Sequence, residues 1–177
     1  SPLRTISSMT VALEVEDVRP KDESDVVGVQ TPLGFESVRY QTKNEVQPIL
    51  INALRDELEN NGHKVTVAGR EADVRIVAHL KKFWLDVQHH GYSTVYVGTI
   101  SASFAVLNPR DGSIYGQRPI IGTFRAISNA LNILVTGLLV TDESVANSTL
   151  AEFIRSFSRD QEILEYLRLA QEEKKGK

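Results

Sequence analysis

The side chains with the richest chemistry in this 177-residue chain are its four histidines, because it contains no cysteine. His89 and His90 are adjacent at the end of an alternating run. Neighbours in a strand point to opposite faces, so these two rings cannot readily share one metal. A zinc site needs three or four converging ligands, and His79 stands ten residues before His89 with no acidic group at ligand spacing. The pair reads instead as a polar strand end leading into a turn at Gly91. Asp17-Val18-Arg19-Pro20 sets an acid and a base two residues apart on one strand face. At a sheet edge such a pair is an exposed ion pair worth about 0–1 kcal/mol, and a catalytic acid would need a second group and a pocket. Glycines never fall in a GxGxxG or GxxxxGK[ST] pattern, and no serine sits in a GxSxG elbow. Gly98, Gly116 and Gly122 lie inside strand-like runs, where glycine marks a bulge or the close approach of another backbone. Sheet bending is the plain reading of these three, and a ligand lying against the sheet is the sharper one. No catalytic, cofactor-binding or metal-ligating residue is assigned, and the expected class is a binding or scaffolding module rather than an enzyme.

The elements that would position any site are legible from periodicity. Thr10–Val18 alternates, with Val11, Leu13 and Val15 on one side, and Pro20 ends it. Asn44–Asn61 carries Val46, Ile49, Leu50, Ala53, Leu54 and Leu58 at helical spacing. Pro48 is tolerated near its first turn, and Gly62 supplies a left-handed stop. His63–Ala68 is then a short strand, so the strand–helix–strand order predicts a crossover with two parallel neighbours. Asp73–Gln88, Val95–Leu107 and Ser113–Ala126 read as an antiparallel meander with one covered face, the last turn being Asn108-Pro109-Arg110-Asp111-Gly112. Asp142 or Ser144 is placed to cap a helix with Val145, Thr149, Phe153, Ile154 and Phe157 as its stripe. A further helix spans Asp160–Gln171. Lys174, Lys175 and Lys177 follow Glu172 and Glu173, which reads as a solvated, fraying end. The fold class is α+β: one domain over residues 1–177, with a mixed, mostly antiparallel sheet of about five strands. One long helix and the C-terminal helices pack on one face.

Two stretches are candidates for binding. Ala130–Val140 is apolar but for Asn132 and Thr136, and it is too short to span a bilayer. Its readings are burial in the core, burial against a partner or a second copy, and contact with a membrane surface. The lack of flanking Lys or Arg weakens the last. Lys21–Lys43 is a long connection with a small hairpin around Thr31-Pro32-Leu33-Gly34. The candidate partner-binding residues are Leu131, Ile133, Leu134, Val135, Leu138, Leu139 and Val140, with Val27, Val29, Leu33 and Phe35 from the hairpin. A net charge of −3 argues against a dedicated nucleic-acid surface. Ser1-Pro2-Leu3 begins without an initiator Met, so an upstream targeting segment is expected.

Four passages in order resemble the YajG family of bacterial envelope lipoproteins: Asp17-Val18-Arg19-Pro20; Leu54 to Val65 around Gly62; Ala72-Asp73-Val74-Arg75-Ile76; and Leu150-Ala151-Glu152-Phe153-Ile154 with Asp160 to Leu167. The resemblance implies a periplasmic domain, anchored to the outer membrane by a lipid on a cysteine upstream of Ser1. It brings no catalytic residues and no cofactor. The function expected is a binding or assembly module for a protein complex of the cell envelope, or a homo-oligomer. The alternative is a small-ligand or lipid carrier of the periplasm. A third hypothesis, a hydrolase, requires His79, His89 or His90 to converge with Ser or Asp in one cleft.

Overall fold

A computed structural model describes residues 1–21, 26–31, 38–41, 45–66, 71–129 and 140–175. After a 3-10 turn at Pro2–Thr5 come β1 (Thr10–Asp17), β2 (Val26–Thr31), β3 (Val38–Gln41), α1 (Val46–Asn60) and β4 (Lys64–Thr66). The long strands β5 (Val74–His90), β6 (Ser93–Leu107) and β7 (Ile114–Asn129) follow, then α2 (Asp142–Arg159) and α3 (Gln161–Lys175).

All seven strands share one sheet. β5, β6 and β7 form the antiparallel meander that alternation predicts. The other edge of β5 is divided between two strands laid end to end. β1 pairs in parallel with Val74 to Leu80, and β2 pairs in parallel with Leu85 to Gln88. β4 flanks β1 in parallel, the crossover partner expected from the strand–helix–strand order, and β3 flanks β2 antiparallel. The sheet exceeds the expected five strands because the hairpin joins it instead of standing apart. The two branches meet at a bulge in β5 between Leu80 and Lys82. That extra residue is needed because Leu80 and Phe83 must both face inward, and strict alternation would turn one of them out.

The three described helices pack on one face of the sheet. Val46, Leu50, Leu54 and Leu58 are fully buried along α1 and share a core with Val11, Leu13 and Val15. Phe104 of β6 meets Phe157 and Phe153 of α2, with ring centroids 4.7 and 6.0 Å apart. Each such fully buried side chain contributes about 1.5–3 kcal/mol. The opposite face is mixed: it carries the pairs Glu14–Arg75 at 2.6 Å and Glu16–His79 at 3.2 Å as well as exposed Ile121 and Ile127.

Two helix ends differ from expectation. Thr141, not Asp142 or Ser144, caps α2: its hydroxyl accepts from the Ser144 amide, while the Ser144 hydroxyl accepts from the Thr141 amide. The reciprocal pair satisfies two otherwise orphaned amides. α3 runs on to Lys175, beyond the expected end at Gln171, and its last described turn makes tertiary contacts. Glu173 accepts from the Tyr115 hydroxyl at 2.6 Å, and Lys174 pairs with Asp73 at 2.7 Å. Burial, with Glu173 beside it, pushes the Tyr115 phenol up to about 12.

Candidate interaction surfaces

The far end of the sheet gathers the ends of both predicted binding stretches. β2 pairs with the last third of β5, and Asn129, where β7 ends, pairs with Ser93. A second apolar cluster sits here, separate from the main core. Leu85, Val87 and Val145 are buried, and Tyr96, Phe124, Ala126 and Val140 are half-buried against them. α2 reaches this end because Gly98 leaves room for Thr149, whose hydroxyl is satisfied by the Val145 carbonyl at 2.7 Å. His89 is bound on both sides, to Gln30 at 2.5 Å and to Thr94 at 2.9 Å, which holds β2 to the strand end. Burial, with Asp142 as a lesser cause, pushes the Tyr96 phenol up. Tyr92, at the β5–β6 turn of this end, is 98% exposed.

Of the sequence candidates, Val140 belongs to this cluster. Val27 is half-buried against the main core, and Val29 is half-buried in β2 beside Asp86 of β5. Leu131, Ile133, Leu134, Val135, Leu138, Leu139, Leu33 and Phe35 lie outside the described residues. Tyr96, Phe124 and Ala126 were missed, although each stands at an alternate position of its strand. Only the register that sets Phe124 opposite Gly98 and Ala126 opposite Tyr96 brings them together.

The residues weighed for chemistry are placed apart. His79 lies on the face away from the helices with Glu16, and His89 lies on the helix-bearing face with Thr94. The described residues contain no group of three or more His, Asp or Glu that could hold a metal. Gly116 and Gly122 face α3 and α2: a Cβ at Gly116 would overlap the Tyr166 ring, and one at Gly122 the Phe153 backbone. With Gly98 they are helix-docking slots, so the close approach is real and the neighbour is a helix, not a ligand.

The exposed ion pair read from the sequence is corrected. The Arg19 side chain is only 2% exposed, and its fork grips Asp17 through Nε at 2.9 Å and Nη2 at 2.7 Å. Nη1 donates to the Val26 carbonyl at 3.1 Å. Arg19 thus latches the end of β1 to the start of β2 at the fork in the sheet, a contact that sequence spacing cannot show.

A second surface is the groove between α1 and α2, about 510 Å³ in volume. Ala53, Leu150, Ala151 and Ile154 form its apolar lining. Asp56 and Glu57 stand on the α1 wall, Arg155 and Arg159 on the α2 wall.

A family model described as an uncharacterized lipoprotein matches residues 3–168. No curated protein matches the chain. Among solved structures, a Xanthomonas campestris protein of the DUF330 family is similar with a TM-score of 0.55 and 13% identity, covering 96% of this chain and 90% of that one. The neuraminyllactose-binding hemagglutinin homolog of Helicobacter pylori aligns with a TM-score of 0.47 and 11% identity, over 94% and 91% of the two chains. Lipoprotein GNA1162 of Neisseria meningitidis aligns with a TM-score of 0.40 and 8% identity, over 85% and 99%. At these identities the first likeness speaks to fold alone, and the other two carry no argument.

Proposed function

Because the chain belongs to this family of uncharacterized lipoproteins, we propose that it is the non-catalytic domain of a YajG-like envelope lipoprotein, binding a protein partner in an envelope assembly. A lipid on an upstream cysteine tethers it to the outer membrane, and the domain works on the periplasmic side. The observation that carries this reading is the cluster at the far end of the sheet. Tyr96 and Phe124 are only half-buried on paired strands of the meander, and half-buried Val140, just before α2, packs with them. Half-buried aromatic side chains on a rigid frame are the common anchors of protein interfaces.

Two measurements test the proposal. Metabolic labelling of the full-length gene product with a palmitate analogue should tag it, and an unlabelled product defeats the anchor. Phe124→Ser should lower stability by no more than about 2–3 kcal/mol while abolishing co-purification of the partner from detergent-solubilised envelopes. Unchanged co-purification defeats the docking site. A lipid carrier is the second reading, favoured by the same half-buried rings, which suit an acyl chain. Native mass spectrometry of gently extracted protein separates the two, since a carrier retains lipid.

A further inference from the structure

The walls of the α1–α2 groove carry opposite charges that do not meet each other. Among the described residues Asp56 and Arg159 make no ion pair, and Arg155, half exposed, bonds only to Glu152 of its own helix. α1 also ends against its own dipole. Its last turns hold Asp56, Glu57 and Glu59, with no basic residue in the final turn. An acid at a helix C-terminus costs a few tenths to about 1 kcal/mol, and nothing within α1 offsets it. Arg4 offsets part of it by donating to the Asn60 carbonyl at 3.3 Å, and further cations beside Asp56 and Glu57 would offset more.

We propose that this groove is the interface of a homodimer, its occupant being the same face of a second copy. A two-fold axis presents one patch to itself. An apolar strip with an acidic wall on one side and a basic wall on the other is its own complement. Under that axis Asp56 and Glu57 of one copy face Arg155 and Arg159 of the other, twice over. The arginines then add to Arg4, whose guanidinium already donates to the Asn60 carbonyl at the end of α1.

Size sets the strength. α1 has 15 residues and α2 has 18, so the shorter is about 22 Å long and the pair about 20 Å wide. That face offers on the order of 450 Å² per copy, close to the lower limit of specific interfaces. The dimer is therefore weak, reversible and dependent on ionic strength, since its charges lie at the rim.

Sedimentation velocity over a concentration series, at low and at high salt, tests it. The wild type should dimerise with rising concentration at low salt and dissociate at high salt. Reversing the acidic wall (Asp56→Arg with Glu57→Arg) or the basic wall (Arg155→Glu with Arg159→Glu) should weaken dimerisation at least about tenfold. Combining all four reversals should restore it, because each wall again meets its opposite. Circular dichroism confirms that the variants are folded. A wild type that stays monomeric at every concentration overturns the proposal. So does a dimer indifferent to either wall, or a fourfold variant that remains a monomer. Loss of the envelope partner on Phe124→Ser reads a different surface and leaves this outcome independent.

Discussion

Arg19 donates to both carboxylate oxygens of Asp17 and to the Val26 carbonyl, with almost no side-chain surface left in water. A planar fork suits this task because it serves a carboxylate and a carbonyl at once, and a lysine ammonium cannot reproduce that geometry. Removing it would leave Asp17, itself only 16% exposed, without its partner. Breaking a buried pair from one side costs about 3–5 kcal/mol, whereas losing an exposed pair costs 1 kcal/mol or less. Arg19→Ala should therefore lower the unfolding free energy measured in urea by about 3 kcal/mol or more, and Arg19→Lys should recover less than half of it. A loss under about 1 kcal/mol for Arg19→Ala would mean that the latch is solvated after all.

At the scale of elements, the glycines of β6 and β7 decide how closely the helices approach the sheet. Gly122 and Thr123 are neighbours on opposite faces. A side chain at Gly122 collides with the α2 backbone at Phe153, while Thr123 is exposed. Overpacking typically costs about 1–3 kcal/mol, and backbone yields less readily than a side chain. Gly122→Val should lower the Tm by several degrees, while Thr123→Val should leave it nearly unchanged. Equal melting points for the two would remove the docking role of Gly122. The same strands show what the sequence discloses. Ile100, Ala102, Phe104 and Val106 alternate cleanly, so the covered face of β6 was readable, as were the meander and the α1 crossover. The shared edge of β5 was not. Its only trace is the Lys81–Lys82 doublet, where two successive polar residues break the alternation at the bulge. The half-buried cluster stayed hidden for a related reason. Tyr96 and Phe124 are single aromatic residues in otherwise ordinary strands, and register, which is a property of pairs, joins them. Asp56 and Glu57 on one helix and Arg155 and Arg159 on another show no relation in the sequence until the two helices are set side by side.

For the whole molecule, the chain ends are tied into the same edge of the fold. The 3-10 turn is fastened to α1 by Arg4 on the Asn60 carbonyl, Ser8 donates to the Gly62 carbonyl, and Lys174 pairs with Asp73. His63 lies buried in this region. Neither ring nitrogen reaches a hydrogen-bond partner, and burial, softened a little by the Leu3 backbone, holds its pKa below the usual 6.5. The folded state thus resists a proton that the unfolded chain accepts. Above pH 6.5 both states are neutral and the group is silent. As pH falls below that value the unfolded state gains the proton first, so stability declines, with a slope of at most about 1.4 kcal/mol per pH unit for one site. Asp73 acts in a lower window. Burial alone would raise it, but Lys174 and the Thr10 amide outweigh burial and hold it below 3.8. Its contribution is present above that value and fades only as pH falls through the depressed pKa. The two groups can therefore be separated by pH. His63→Leu, which keeps an apolar side chain in a site with no polar partner, should flatten the decline that begins near pH 6.5 and leave the acid limb in place. Lys174→Met should do the reverse, weakening the fold near neutral pH and reducing the loss in the acid limb. Urea titrations of both variants from neutral to acid pH give the comparison. Unaltered pH profiles in both would show that neither end of the chain is coupled to global unfolding through these groups.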